Sequence, residues 1–311
     1  MAGESNFDKF QLMSNIPYSY NILKNNIFVD LSSSDIILER IDAMFTPIKE
    51  GSYYKNKIFG FPLSVSFESL FYNKNLVDKH HITIENNLTW IDFINISEEI
   101  CNNDSTRVSV AANKFRIHQL IIDQYILNYN NIESGDVKFN TREFKDALKI
   151  MKSVNNSDTI EHLVPNPLKA IADNQLFLLK ANIQNSQEDI FYTSLPCISE
   201  NQFSPLTIKW AVINPNSNMK ELAIKYLEKL PQKDDSHLLS NVLYADKELY
   251  GSISDAWYNN YATVMQRNKV SFQLNIYNEV KSILEGYFND EITIDAATEK
   301  IDTKIQMIIN E

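Results

Sequence analysis

The residues that could do chemistry are few, and their spacing is loose. Asp78, His80 and His81 lie close enough together to suggest metal ligation. Glu98-Glu99 and Glu188-Asp189 are paired acids of the kind used for proton transfer. Adjacent histidines in a polar turn are ordinarily solvated, and paired acids ordinarily form charged surface, so neither set predicts a site. The patterns G-x-S-x-G, G-x-G-x-x-G, the P-loop and H-E-x-x-H do not occur. The 6 glycines, at 3, 51, 60, 135, 251 and 286, are too dispersed to cradle a phosphate. Scattered Ser, His and Asp leave a hydrolase with no specific constellation behind it. The sequence therefore predicts neither catalysis nor a metal or other cofactor. Binding has better material. The 15 Tyr and 3 Trp are amphipathic rings that suit sugar faces, with Asn, Ser and acids available for hydroxyls, although most such rings belong to a core.

Composition narrows the partners. A net charge of −11 and a pI near 5.0, without a basic patch, predict repulsion from phosphate backbones and no nucleic-acid partner. No apolar run reaches the roughly 18–20 residues of a membrane span. The N-terminal Met-Ala-Gly-Glu-Ser-Asn has neither a basic region nor an apolar core, so no secretory signal is expected in this numbering. Cys101 and Cys197 make neither a metal site nor a disulfide framework; buried thiols are the expectation and a single pairing the alternative. Glycine is scarce, so asparagine is expected to take over some left-handed backbone positions.

Positioning falls to a stretch in the first quarter of the chain. In residues 57–77, Ile58, Phe59, Phe61, Leu63 and Val65 favour extended structure, while Gly60 and Pro62 disfavour a helix. A second apolar run, Leu70-Phe71-Tyr72, follows without a turn, which suggests one long strand able to pass from one sheet to another. Tyr72-Asn73-Lys74-Asn75 then reads as a turn. Phe7 to Met13 reads as a strand and Tyr18 to Asn26 as a short helix. The serines 32–34 cap a helix through Ile36, Ile37 and Ile41. Thr89 and Asp92 form a capping box for a helix reaching about Cys101, and Trp90 in its first turn is expected to pack against its own lobe. Residues 112–129 have helical spacing on more than one side, with His118 inside the helix and no ligating companion. Asn140, with Glu143, caps the next helix. A strand spans Asn174 to Lys180, and another runs from Lys209 toward Asn214. Asn218, with Glu221, caps a helix whose Leu222, Tyr226 and Leu230 form one apolar stripe, and two helices close the chain.

The order of these phrases carries a resemblance. Gly60-Phe61-Pro62, then Leu70-Phe71-Tyr72-Asn73-Lys74-Asn75-Leu76, resembles the hinge segment of family 1 extracellular solute-binding proteins, the capture subunits of bacterial ABC importers to which maltose-binding protein belongs. The chain is similar to that family again at Asn26 to Leu31, at Thr89-Trp90, from Phe139 to Leu148, at Ser217, Asn218, Ala223, Tyr226, Leu227 and Leu230, and at Gly286, Ile292, Thr293 and Ala297. The family's first strand–helix–strand is not found ahead of Asn26, so either the numbering starts on a fragment or lobe one is built differently.

The resemblance implies an α/β, helix-rich, type II periplasmic-binding-protein-like fold with two lobes joined by a hinge. Lobe one would hold residues 1–65 and 205–250; lobe two would hold 66–204 and 251–311. It implies capture of a saccharide in an interlobe cleft, with ABC transporter membrane subunits as partners. The native protein would work at the extracellular face of the cytoplasmic membrane or in the periplasm, touching the membrane only through a lipid anchor. By family position the ligand-facing residues would be Asn15 and Tyr18 in a loop, Ser66 at the hinge, Trp210 at the return to lobe one, and Tyr277 at the start of the penultimate helix. Ser66 stands where an acid is usual, and Ala181-Asn182-Ile183 stands where a glycine and an aromatic are usual. Those departures support the alternative, a divergent module that keeps the fold for sensing or protein interaction without transport.

Overall fold

A computed structural model of the chain describes residues 11–14, 27–103, 109–111, 113–131, 134–161, 175–181, 190–230, 242–250, 254–270 and 276–310. The expected helix over Tyr18 to Asn26 lies outside them. The long strand is present: Phe61–Asn73 forms a single strand, β2, of 13 residues. Its register shifts between Pro62 and Ser64, where a proline cannot supply a ladder N–H. The chain parts into two compact units, Met1–Phe67 with Leu206–Gln273 and Glu68–Pro205 with Leu274–Glu311, so β2 carries the chain across at Phe67 and Glu68.

In the first unit, β2 from Phe61 to Phe67 pairs antiparallel with β7 (Ser204–Val212), which also pairs antiparallel with β1 (Gln11–Ser14). A short strand Asn268–Val270 adds to β7. Helices α1 (Asp35–Asp42) and α2 (Thr46–Gly51) precede β2, and α7 (Lys220–Glu228) follows β7. Ser34 caps α1, its Oγ accepting from the Ile37 N–H at 3.2 Å. Ile37 and Ile41 go fully into the core with Leu31, Ile48, Ile58 and Ile208, whereas Ile36 faces solvent. Helix α8 (Asp255–Gln266) belongs here, beyond the boundary expected at residue 250. Its Tyr258 and Tyr261 rings pack 6.1 and 5.8 Å from Phe45, and Tyr261 lies 5.6 Å from Phe67. Gly51 ends α2 where a Cβ would collide with the Val270 side chain.

In the second unit, β2 from Glu68 lies between β5 (Gln175–Ala181) and β6 (Ile190–Ser194), antiparallel to both. Strand β3 (Ser109–Ala111) runs parallel to β5 and to Ile160–Glu161. Around this mixed sheet stand α4 (Trp90–Asn103), α5 (Lys114–Tyr129), α6 (Arg142–Asn156), α9 (Tyr277–Phe288) and α10 (Ile294–Asn310). The capping box of α4 is complete: the Thr89 N–H donates to Asp92 and the Asp92 N–H donates to Thr89 Oγ1, both at 3.1 Å. Trp90 is fully buried, and its Nε1 donates to Gln124 Oε1 at 2.8 Å, so it anchors the core as expected. Helix α5 is buried on most of its circumference, through Ile117, Leu120, Ile121, Ile122, Tyr125 and Ile126.

Four local expectations are corrected. Asn73 closes no turn; its side chain accepts from the Leu76 N–H and caps a short helix, Lys74–Lys79. Thr141, rather than Asn140, caps α6, because its Oγ1 accepts from Phe144 N–H at 3.1 Å. Helix α7 has Met219 at its cap position with no side-chain bond, so Asn218 does not cap it. Its expected apolar stripe is exposed at Leu222 and Tyr226, and Leu227 is the helix residue that goes into the core. Left-handed backbone appears at Asn56 and Asn201, as the glycine shortage implied, and also at Lys55, His81 and Asp290.

Candidate functional site

The ligand residues expected by family position fall in both units. Asn15 and Tyr18 lie outside the described residues. Ser66 is half-buried on β2, opposite Thr207. Trp210 does not offer a ring face. It is 1% exposed, paired on β7 with Met13 and Pro62, and packed so tightly over Gly60 that a Cβ there would sit 3.2 Å from the Trp210 Cβ. Its place at the return to lobe one was the reason to set it against a ligand, and its burial makes it a core residue of its unit.

Tyr277 is also buried, at 6% exposure, as the first residue of α9. Its ring meets that of Phe115 edge-on, with centroids 4.4 Å apart and planes at 68°. Phe115 is 40% exposed. The accessible ring is therefore Phe115, and Tyr277 is the support beneath it. Local sequence explains the position: Asn113 Oδ1 accepts from Phe115 N–H at 2.9 Å, which starts α5 and sets Phe115 in its first turn. Behind the pair, His118 lies 6.4 Å from Tyr277 and 5.0 Å from Phe288. His118 is 3% exposed, and its Nε2 is 3.0 Å from the Met151 carbonyl oxygen. A carbonyl only accepts, so the proton is assigned to Nε2. Burial pulls the ring's pKa down to about 4, so His118 is a neutral packing group, as its isolation in the sequence implied. Burial likewise raises the Tyr277 phenol above its ordinary range.

The residues on either side of Phe115 in the sequence are engaged by other partners. Lys114 Nζ donates to the carbonyls of Asn155 and Ser157 at 2.8 and 2.7 Å. Arg116 Nε donates to Glu68 Oε1 at 2.6 Å, and Nη1 donates to Gln119 Oε1 at 2.6 Å. An exposed aromatic ring over a buried aromatic support suits a ligand with an apolar face. Sequence reasoning missed Phe115; its one local signal was an aromatic two residues after a capping Asn. Among the described residues, no three His, Cys, Asp or Glu side chains are placed to hold a metal ion, and no helix is long and apolar enough to cross a membrane. Cys197 Sγ is buried, 3.6 Å from the Leu195 carbonyl oxygen, and the Cys101 side chain lies outside the described residues.

No protein-family model and no curated protein matches this sequence. Solved structures do. The sugar-binding protein MalE from Xanthomonas citri superposes with a TM-score of 0.75 at 15% identity, covering 96% of this chain and 83% of that one. The maltose-bound MalE3 of T. maritima gives 0.64 at 15% identity, over 96% and 84%. An ABC substrate-binding protein from Listeria monocytogenes, in complex with cycloalternan, gives 0.65 at 15% identity over the same shares. Chain order, the strand shared by two units and these superpositions agree: the chain has the helix-rich α/β type II periplasmic-binding-protein fold of MalE-like sugar-binding proteins.

Proposed function

We propose that the chain captures a small solute, a saccharide, and hands it unchanged to the membrane subunits of an ABC importer. The observation that carries this reading is the exposed Phe115 ring on its Tyr277 support, set in a fold whose solved neighbours include proteins bound to maltose and to cycloalternan. Importer work implies a place outside the cytoplasmic membrane, in the periplasm or held at its outer face by a lipid anchor. Ser66, on the strand that enters the second unit, contributes a hydroxyl in this reading in place of an acid.

The test is a thermal-shift and calorimetric screen against maltose, longer linear and cyclic α-glucans, xylo-oligosaccharides, amino acids and peptides. A ligand at a hundred times its dissociation constant stabilises the folded chain by about 2.7 kcal/mol, a shift of several degrees or less at this size. The expected result is a sugar-specific shift that Phe115→Ala abolishes while the unliganded melt stays cooperative. A cooperative melt with no shift for any sugar would overturn the reading.

A further inference from the structure

The first turn of α5 is tied down on both sides of Phe115. Helix N-termini fray readily, because their first N–H groups have no partner within the helix. Here Asn113 takes the Phe115 N–H, Lys114 reaches two carbonyls at the end of α6, and Arg116 reaches β2. The Arg116 tie is the most directional of the three. Its Nε donates to Glu68 Oε1 at 2.6 Å, Nη2 pairs with the same oxygen, and Nη1 donates to Gln119 Oε1 at 2.6 Å. A guanidinium engaged through three nitrogens has its plane fixed. The anchor is fixed as well. The Glu68 side chain is 13% exposed, and from Ser69 onward β2 is paired on both sides, to β5 and to β6. A fully exposed ion pair would hold little, but this one is shielded at its carboxylate.

We propose that Arg116 is a positioning residue for Phe115: by fixing the first turn of α5 to Glu68, it sets the ring against Tyr277 before a ligand arrives. The two rings meet edge-on with centroids 4.4 Å apart. A contact of that kind selects one ring position only when the backbone that carries Phe115 is itself held. A ring already in place has less freedom to lose on binding, so the tie acts on affinity more than on folding. That the ring meets a ligand rests on the function proposed above; that Arg116 sets the ring does not.

A fluorine on the Phe115 ring, with one on the fully buried Phe144 ring as reference, reports ring position by NMR with no sugar present. Arg116→Met is expected to move the Phe115 line toward its value in the unfolded chain and to leave the Phe144 line in place. An unmoved Phe115 line, or equal movement of both, overturns the proposal whether or not a sugar binds. For a sugar found in the screen, Arg116→Met should weaken affinity roughly threefold to tenfold. Glu68→Met, alone or combined with Arg116→Met, should weaken it to the same extent, because both substitutions cut one tie. Unchanged affinity, or losses that add, overturns the proposal. If no sugar binds the unaltered chain, the proposed function falls and the fluorine lines still decide the positioning. Should Arg116→Met lose its cooperative melt, Arg116→Lys, which keeps the charge without the fork, takes its place.

Discussion

Each unit ends a helix on a cation borrowed from another helix, and the two do it in different surroundings. In the first unit, Arg40 of α1 donates to the last carbonyls of α7, Leu227 at 2.5 Å and Glu228 at 3.1 Å. Its other arm donates to the Tyr244 hydroxyl at 3.2 Å, and the guanidinium lies 4.5 Å over the Phe61 ring. In the second unit, Lys114 of α5 serves the end of α6 through Asn155 and Ser157. Both meet the unpaired carbonyls and partial negative charge of a helix C-terminus. Arg40 is 4% exposed, in a nearly dry site; Lys114 is only partly buried. A planar guanidinium can serve two carbonyls, a hydroxyl and a ring face at once, which an ammonium cannot. The drier site requires the more versatile cation.

Substitution should separate the two. Arg40→Met keeps the length and strands the α7 carbonyls, so it should lower stability by roughly 3 kcal/mol, read as a lower urea midpoint. Lys114→Met should cost about 1 kcal/mol, because water can reach the freed α6 carbonyls. Ser34→Ala removes the α1 cap and the bond its Oγ donates to Glu228 at 2.7 Å, for about 1 kcal/mol. Ser34 and Arg40 both hold the end of α7, so the double variant should lose measurably less or more than the sum of the singles. Equal losses for Arg40→Met and Lys114→Met would dissolve the distinction between dry and wet sites.

Much of the scaffold was legible in the residues. Strand β2 announced itself through extended-favouring residues on both sides of a stretch without a turn signal, and the Thr89–Asp92 box through spacing alone. Helix α5 showed its burial in apolar residues on more than one side. The misreadings share one cause: pattern gives periodicity without saying what a face meets. Leu222 and Tyr226 have the spacing of a buried stripe, yet α7 is held by its C-terminal end and by Leu227. The site was less legible for the same reason. The single local signal, a phenylalanine two residues after a capping Asn, does not tell Phe115 from a core phenylalanine, because the residue that props it up, Tyr277, is far away in sequence. Trp210 and Tyr277 followed from family position, and burial gives one to the core and makes the other a support.

The placement of β2 also constrains the order in which the molecule can form during synthesis. The Phe61–Phe67 half of the strand is made early, but its partner Leu206–Ala211 is made only after the bulk of the second unit. The emerging first unit must wait with an unpaired edge, an aggregation-prone state, until that distant segment appears. Residues Glu68–Pro205, closing on themselves in the meantime, would bring Phe67 and Leu206 together and shorten the loop that the first unit still has to close.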